Sequence, residues 1–260
     1  TDFKINSYVP YLFNSKFSTT LEFNLYRQDS TFINTNFKLN TDYSINQRSH
    51  ASVLYRSENS NYLLNTLDNE ITSYSNYFIG LGYQMKKLST SNLYDFNNGI
   101  NLNLIVGKRK TSLESINQLK LHFSAFANLQ INNRGFLNIR NESGLLTSKN
   151  YLLNELFRIG GANSIRGYNE QSILTNGYSY SNIEFRYSLD TSSYLYSITD
   201  LGAYKESTTK KIKKLIGIGA GYQFKINNNF VNIGYVISTN SSTNTKLNNS
   251  TLVVKWTSFF

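Results

Sequence analysis

The chain has 260 residues, a net charge of +10 and no cysteine, which excludes a disulfide scaffold, a thiol enzyme and a zinc–thiolate protein. No apolar run approaches the roughly 20 residues that a membrane-spanning helix needs. The basic charge would suit a nucleic acid or an anionic lipid surface, but the sequence contains no nucleic-acid-binding motif.

Apolar and polar residues alternate along almost the whole chain, whereas helical periodicity is nearly absent. In LKLHFSAFANLQI (119–131), for example, the odd positions are all apolar and the even positions are mostly polar, as in a strand with two different faces. Thirteen such segments are predicted, in chain order: 1–11, 16–27, 31–45, 48–57, 73–86, 98–109, 117–132, 134–146, 173–189, 192–205, 211–226, 229–239 and 249–260.

The lengths of these segments distinguish two all-β architectures. Strands of soluble proteins are usually about 5–6 residues long, whereas a strand tilted across a bilayer needs about 9–11. A soluble sandwich stays open as an alternative, but the long segments, the short polar turns, the 20 Tyr and 17 Phe and the single Pro favour a membrane protein. The pattern therefore predicts an antiparallel, up-and-down transmembrane β-barrel, in which apolar faces meet lipid.

The longest interruption of the alternating pattern is FRIGGANSIRGYNEQS, at 157–172. It contains the glycine pair Gly160 and Gly161, followed shortly by Arg166, Gly167 and Tyr168. An arginine in a glycine-rich turn is most simply an exposed loop residue. An arginine that folded back into a barrel would instead need acidic partners, because it stays charged.

The final segment, TLVVKWTSFF, keeps its alternation to the last residue, with Trp256 and Phe260 on one face. A terminal strand that ends on an aromatic residue resembles the sorting signal of bacterial outer-membrane barrels. Ser258 departs from that pattern, which usually has an apolar residue two places before the end. The resemblance implies delivery to the outer membrane, with Trp256 and Phe260 as the C-terminal sorting signal.

The stretch GGANSIRGY (160–168) resembles the sixth extracellular loop of the BamA/TamA-like outer-membrane assembly factors, a superfamily that also contains the two-partner secretion transporters. NIEFRY (182–187) and SITDLGAY (197–204) match the two strands that follow this loop in the family. The resemblance implies that the loop folds into the barrel lumen. It also implies that Arg166 forms a latch with Glu184 and Asp200 as its partners.

The strand pattern supports this placement for Glu184, which lies on the polar face of its segment. Asp200 shares its parity with Tyr194 and Tyr196, so either a bulge shifts that strand or large rings fill the inner face. Because a barrel lumen is wet, the latch is not expected to be deeply buried. Glycines that share one face, as Gly217 does with its neighbours at two-residue spacing, would let another segment approach closely.

Five predicted strands follow the loop and eight precede it, whereas the family's barrel has sixteen in all. We therefore expect residues 1–260 to be an outer-membrane β-barrel domain that lacks its first three strands and the periplasmic POTRA domains ahead of them. One alternative is a barrel fused to a lipase domain, which would also precede Thr1.

The function that the resemblance implies is non-enzymatic: assembly of other outer-membrane proteins at a lateral seam beside the last strand. The alternative within the superfamily is a two-partner secretion transporter, which exports an unfolded exoprotein. The expected partners are the lipid bilayer and lipopolysaccharide, unfolded client polypeptides, and periplasmic or lipoprotein accessory subunits, with no nucleic acid. The sequence predicts no metal site and no cofactor, since its two His have no cluster of further ligands. The arginine loop argues against a plain porin.

Overall fold

The computed structural model describes residues 2–28, 31–63, 71–87, 98–206, 210–227, 229–239 and 247–258. They form one antiparallel, up-and-down sheet in which neighbouring strands follow chain order. The strands are β1 Asp2–Val9, β2 Phe17–Gln28, β3 Phe32–Ser44, β4 Ser49–Tyr62, β5 Tyr74–Lys87, β6 Asn98–Lys110, β7 Ser115–Gln130, β8 Gly135–Thr147, β9 Phe157–Ile159, β10 Ile173–Ser188, β11 Ser193–Glu206, β12 Ile212–Ile226, β13 Asn229–Thr239 and β14 Leu247–Ser258.

All thirteen predicted strands are present, and the structure adds the three-residue strand β9 inside the long loop. Strand β9 lies off the main order of the sheet and pairs with the start of β10. Strand β4 also continues to Tyr62, beyond the predicted end at 57, because its pairing with β3 runs on until Tyr62 lies opposite Phe32. Two short 3₁₀ turns, Leu12–Asn14 and Leu153–Glu155, are present, and no helix among the described residues is long and apolar enough to cross a membrane.

The described residues divide into two compact units. The first comprises those within Thr1–Lys86, Ile100–Phe123 and Leu145–Leu156. Its strands have one face that contacts the first part of the long loop, the face from which Arg109 and Gln118 point, and we call this the loop face. On the opposite, outer face, large apolar side chains are exposed, including Ile79 and Leu81.

The second unit comprises the described residues within Lys87–Gly99, Ser124–Gly144 and Phe157–Phe260. Its loop face is the one from which Glu184 and Asp200 point toward the second part of the loop. The outer face again exposes apolar residues, for example Leu195 and Leu201 on β11 and Leu252 on β14. A sheet with a broad exposed apolar face is the arrangement expected where strands contact lipid instead of water.

Candidate functional site

The loop between β8 and β10 is shaped by glycines. Gly160, Gly161 and Gly167 have φ values of 109°, 99° and 90°, in the region that favours glycine. The Gly160 N–H donates to the Ser164 hydroxyl (2.7 Å), which closes the first turn of the loop tip. The chain then leads directly to Arg166, whose side chain points onto the loop face of the second unit.

Arg166 binds both of the carboxylates assigned to it by the resemblance. Its Nε and Nη2 donate to the two oxygens of Asp200 at 2.8 and 2.6 Å, a two-pronged contact, and its backbone N–H donates to the same carboxylate at 2.8 Å. Its Nη1 donates to Glu184. The planar guanidinium thus contacts two carboxylates at once, a geometry that the single ammonium of lysine does not offer.

This ion cluster is more deeply buried than expected for a wet lumen. Asp200 is 0% exposed, and Arg166 and Glu184 are each 8% exposed. Burial of the Arg166 guanidinium lowers its pKa, but the hydrogen bond and charge of Asp200, together with Glu184, outweigh burial and raise the pKa above its ordinary value. The arginine is therefore charged at every pH the protein meets.

Glu184 also binds a second cation. Arg186, two residues along β10, donates to the other oxygen of Glu184 from Nε (2.9 Å) and from Nη2 (2.7 Å). The Arg186 guanidinium also lies 5.3 Å from the centre of the Tyr194 ring. The cluster therefore contains two guanidinium groups and two carboxylates, so that its positive and negative charges are equal.

The position of Asp200 resolves the alternative that its parity left open. The pairing of β11 with β12 runs through Asp200 without a shift, so β11 carries no bulge there. Tyr194, Tyr196 and Ile198 are buried on the same face as Asp200. The loop face of β11 is therefore lined by large rings. The face that holds Tyr194, Tyr196 and Ile198 is thus not the face that meets lipid.

Gly167 and Gly217 allow the loop backbone to lie against the strands. A Cβ at Gly167 would be 2.6 Å from the Cβ of Ser238, and a Cβ at Gly217 would be 2.6 Å from the carbonyl oxygen of Arg166. The Ser238 hydroxyl donates to the Gly167 carbonyl at 2.6 Å. The close approach expected at Gly217 is therefore present, and the segment that approaches is the arginine itself.

Tyr168 fixes the tip to two further strands. Its hydroxyl lies 2.6 Å from the Thr239 hydroxyl on β13 and accepts from the Ile216 N–H on β12 at 3.1 Å. Its ring belongs to a buried apolar cluster that includes Ile165 and Leu215. Ring and hydroxyl together hold the residue that follows the arginine turn.

Replacing Tyr168 with Phe is expected to lower the free energy of unfolding by about 0.5–1.5 kcal/mol, because the hydrogen bonds of its hydroxyl would be lost. The Ile216 N–H keeps a partner in the Thr239 hydroxyl, which accepts from it at 3.3 Å. Urea unfolding of the purified protein in detergent, followed by tryptophan fluorescence, measures the change. Tyr235→Phe, at an exposed position on β13, is the matched control and should leave stability unchanged. Equal effects of both substitutions would show that the Tyr168 hydroxyl does not hold the loop.

The first part of the loop has an anchor that the sequence analysis missed. Glu155, fully buried, accepts from Arg109 of β6 (2.5 Å) and from Gln118 of β7 (2.9 Å). The neighbouring Asn154 donates to the Ser60 hydroxyl (2.7 Å) and accepts from Asn34 through its carbonyl (2.9 Å). The sequence contains two indications of this ion pair. Alternation in 98–109 puts Arg109 on the polar face of its segment, and Glu155 is the one charged residue in the mostly apolar run LLNELF.

A polar cavity of about 460 Å³ adjoins the loop tip in the second unit. Its lining combines cations, amides and rings: Arg140, Asn163, Arg186, Tyr194, Asn232 and Lys255. Lys255 of β14 donates to the Asn163 side chain at 3.0 Å, so the tip also contacts the last strand. No group of three or more His, Cys, Asp or Glu that could hold a metal occurs among the described residues.

Of the two residues assigned to the C-terminal sorting signal, Trp256 lies on β14 and is 69% exposed, as an interfacial anchor would be. Its indole N–H donates to the Ser258 hydroxyl at 3.0 Å. Phe260 lies outside the described residues. The role of both residues in sorting stays a prediction.

Deleting Phe260 is expected to reduce the amount of membrane-inserted protein several-fold, because the terminal aromatic residue would be lost both as a sorting label and as an interfacial anchor. The amount of heat-modifiable protein in isolated outer membranes is the measurement. Phe260→Tyr, which keeps the ring, is the control and should retain most of the signal. Undiminished insertion after the deletion would contradict a sorting role.

The fold defines a class, an outer-membrane β-barrel protein. The chain belongs to the haemolysin secretion/activation protein ShlB/FhaC/HecB family, whose family model matches residues 9–224. A comparison with curated protein sequences gave no match.

Solved structures share the fold at low sequence identity. CdiB from Acinetobacter baumannii is 14% identical with a TM-score of 0.70, over 99% of this chain and 50% of that one. BamA from Haemophilus ducreyi lacking POTRA domains 1–3 is 9% identical with a TM-score of 0.72, over 99% and 62%. CdiB from Escherichia coli is 14% identical with a TM-score of 0.60, over 92% and 49%. The chain thus spans 49–62% of the length of these structures.

Proposed function

We propose that this protein is a two-partner secretion transporter that exports an unfolded polypeptide across the outer membrane. The observation that carries the proposal is the family match, which runs over residues 9–224 and so covers strands β2–β11, most of β12 and the arginine loop. The family's description names secretion and activation of a haemolysin, and we extend to this chain only the class of activity, export of a partner polypeptide. The proposed activity is not enzymatic.

The geometry of the second unit fits such a role. The loop tip is held on the loop face by the Arg166 cluster and by Tyr168, beside a cavity lined by amides and cations. An unfolded chain is hydrated along its backbone and needs hydrogen-bonding groups on its route. A polar cavity next to a tightly held loop supplies such groups and gives the loop a defined position from which it can gate passage.

Assembly of other outer-membrane barrels is the second candidate function, and the edge of β14 favours it. Among the described strands, β14 pairs with β13 alone. Its other edge presents backbone donors and acceptors that a strand of a client could bind by edge addition. This candidate needs no route through the protein.

Deletion of the gene distinguishes the two candidates. Export predicts that one or a few large polypeptides disappear from the medium and the cell surface, while the abundance of other heat-modifiable outer-membrane barrels stays unchanged. Assembly predicts the reverse, a general fall in those barrels. Complementation with the wild type and with Arg166→Ala, each quantified by mass spectrometry of secreted and outer-membrane fractions, connects the outcome to the loop. A deletion that alters neither fraction would contradict both candidates.

The domain assignment also stays a prediction. We propose that residues 1–260 form the barrel domain of a longer protein, with further strands and periplasmic POTRA domains ahead of them. Unfolded client polypeptides, accessory subunits and lipopolysaccharide are its proposed partners. The shorter span of this chain relative to the solved structures is consistent with additional domains.

A further inference from the structure

The outer face of the first unit carries a group of lysines at the end of its strands nearest the long loop. Lys108 and Lys110 lie at the end of β6, and Lys149 lies two residues after the end of β8. Strand β7, which begins at Ser115, lies between those two strands in the sheet and contributes Asn117. All of these positions belong to the first unit.

The direction of Lys108 and Lys110 follows from the alternation of β6. Arg109 and Gln118 contact Glu155 on the loop face, so their neighbours Lys108, Lys110 and Asn117 point to the outer face. Toward the middle of β6 the same outer face is apolar and exposed, with Leu104 45% and Val106 50% exposed. Strand β6 therefore passes from an apolar stretch to a cationic end.

A shallow groove of about 690 Å³ lies at this boundary. Its lining contains a polar end and an apolar end: Lys108, Asn117, Thr147 and Lys149, then Val106 and Leu119. The two lysines have no ion pair with any carboxylate in the described part of the chain. The nearest acidic side chains in sequence, Glu114 and Glu155, bind Arg109 instead.

We propose that this groove binds an anionic membrane lipid, with the phosphate groups of its headgroup between Lys108 and Lys149 and its acyl chains along Val106 and Leu119. Two unpaired ammonium groups complement phosphate charge, and the Asn117 amide and the Thr147 hydroxyl add hydrogen-bond donors. The apolar residues follow on the side of the membrane interior, where acyl chains begin. A free phosphate ion would use only the polar half of this lining.

The alternative to a specific lipid site is a general belt of lysines, which extend toward water at the membrane surface without binding a particular lipid. The second unit offers a comparison, because Lys205 on β11 and Lys214 on β12 are also exposed on the outer face, next to apolar residues such as Leu201 and Ile216. A general belt predicts equal effects from removing either pair of lysines. A specific site predicts that only Lys108 and Lys149 matter.

The test is the dissociation constant of diphosphoryl lipid A, measured by native mass spectrometry with the full-length protein in an uncharged detergent. Lys108→Gln with Lys149→Gln is expected to weaken binding by about tenfold to thirtyfold, since each lysine near a phosphate-bearing surface contributes a factor of about five. Lys108→Arg with Lys149→Arg should keep the affinity. Lys205→Gln with Lys214→Gln should change it by less than about twofold.

Two further arms identify the source of the phosphate. Monophosphoryl lipid A should bind more weakly than the diphosphoryl form, and an excess of inorganic phosphate should not displace either lipid. Equal loss of affinity in both lysine-to-glutamine pairs, an unchanged affinity in the Lys108/Lys149 pair, or displacement by inorganic phosphate would each overturn the proposal. Because the assay measures lipid alone, its result is independent of whether the protein exports or assembles polypeptides.

Discussion

Replacing Arg166 with alanine is expected to reduce export by about tenfold or more while the strands stay inserted in the membrane. The substitution leaves Asp200, which is fully buried, without its guanidinium partner, and it leaves Glu184 with Arg186 alone. Removing one partner of a buried ion pair costs about 3–5 kcal/mol, because the remaining charge has no compensation. The loop tip would be released before the strands, whose backbone hydrogen bonds do not depend on Arg166.

Two further variants show whether the contact itself is responsible. Arg166→Lys keeps the charge but not the two-pronged contact with Asp200, so it should recover only a small part of the activity. Arg134→Ala is the matched control, because Arg134 is an exposed arginine in the turn between β7 and β8 and does not line the polar cavity. Its export should stay close to that of the wild type.

A double-mutant cycle of Arg166→Ala with Glu184→Ala measures the coupling between the two side chains. We expect a coupling free energy of about 1.5–3 kcal/mol from urea unfolding monitored on the loop. Strictly additive effects would mean that Arg166 and Glu184 act separately. The prediction that their contact holds the loop would then be wrong.

Replacing Glu155 with Gln is expected to loosen the first part of the loop, with a loss of about 3 kcal/mol or more in local stability. The substitution keeps the shape of the side chain but leaves the buried Arg109, 1% exposed, without its closest carboxylate. Hydrogen exchange of residues 148–156, followed by mass spectrometry, measures the loss of protection in this segment. Exchange in β10–β14 should change little.

Two further variants separate a charge effect from a general disturbance. Glu114→Gln is the control, because Glu114 is 41% exposed and lies 3.5 Å from the same arginine. It should have a much smaller effect. Exchanging the charges, Arg109→Glu with Glu155→Arg, should restore part of the protection that either single change removes. Protection that does not change in Glu155→Gln would show that other contacts, such as those of Asn150 and Asn154, hold this segment.

The two anchors have opposite polarity. In the first unit the loop contributes the acid, Glu155, and a strand contributes the arginine. In the second unit the loop contributes the arginine, Arg166, and the strands contribute the acids. The loop is therefore held at two points that lie 11 residues apart in sequence, and loss of one need not release the other. The Glu155→Gln and Arg166→Ala variants test this independence directly when both are combined.

Alternation within single segments was enough to predict the strands and, for most of them, which face is apolar. Side chains in a strand alternate because of local backbone geometry, so this information lies within about ten neighbouring residues. All thirteen predicted strands are present for this reason, and Glu184 lies on the face that its segment predicted. The short strand β9 was missed because three residues are too few to show a period.

What only the tertiary structure decided is which distant residues meet. The parity of Asp200 left two alternatives, and the burial of Tyr194 and Tyr196 beside it showed that rings line this face. The pairing of Arg109 with Glu155, 46 residues later, depends on how the loop returns to β6, and no local period encodes that return. Which carboxylate a buried arginine binds is set by the geometry of the folded sheet, because charge alone attracts every acidic residue within reach.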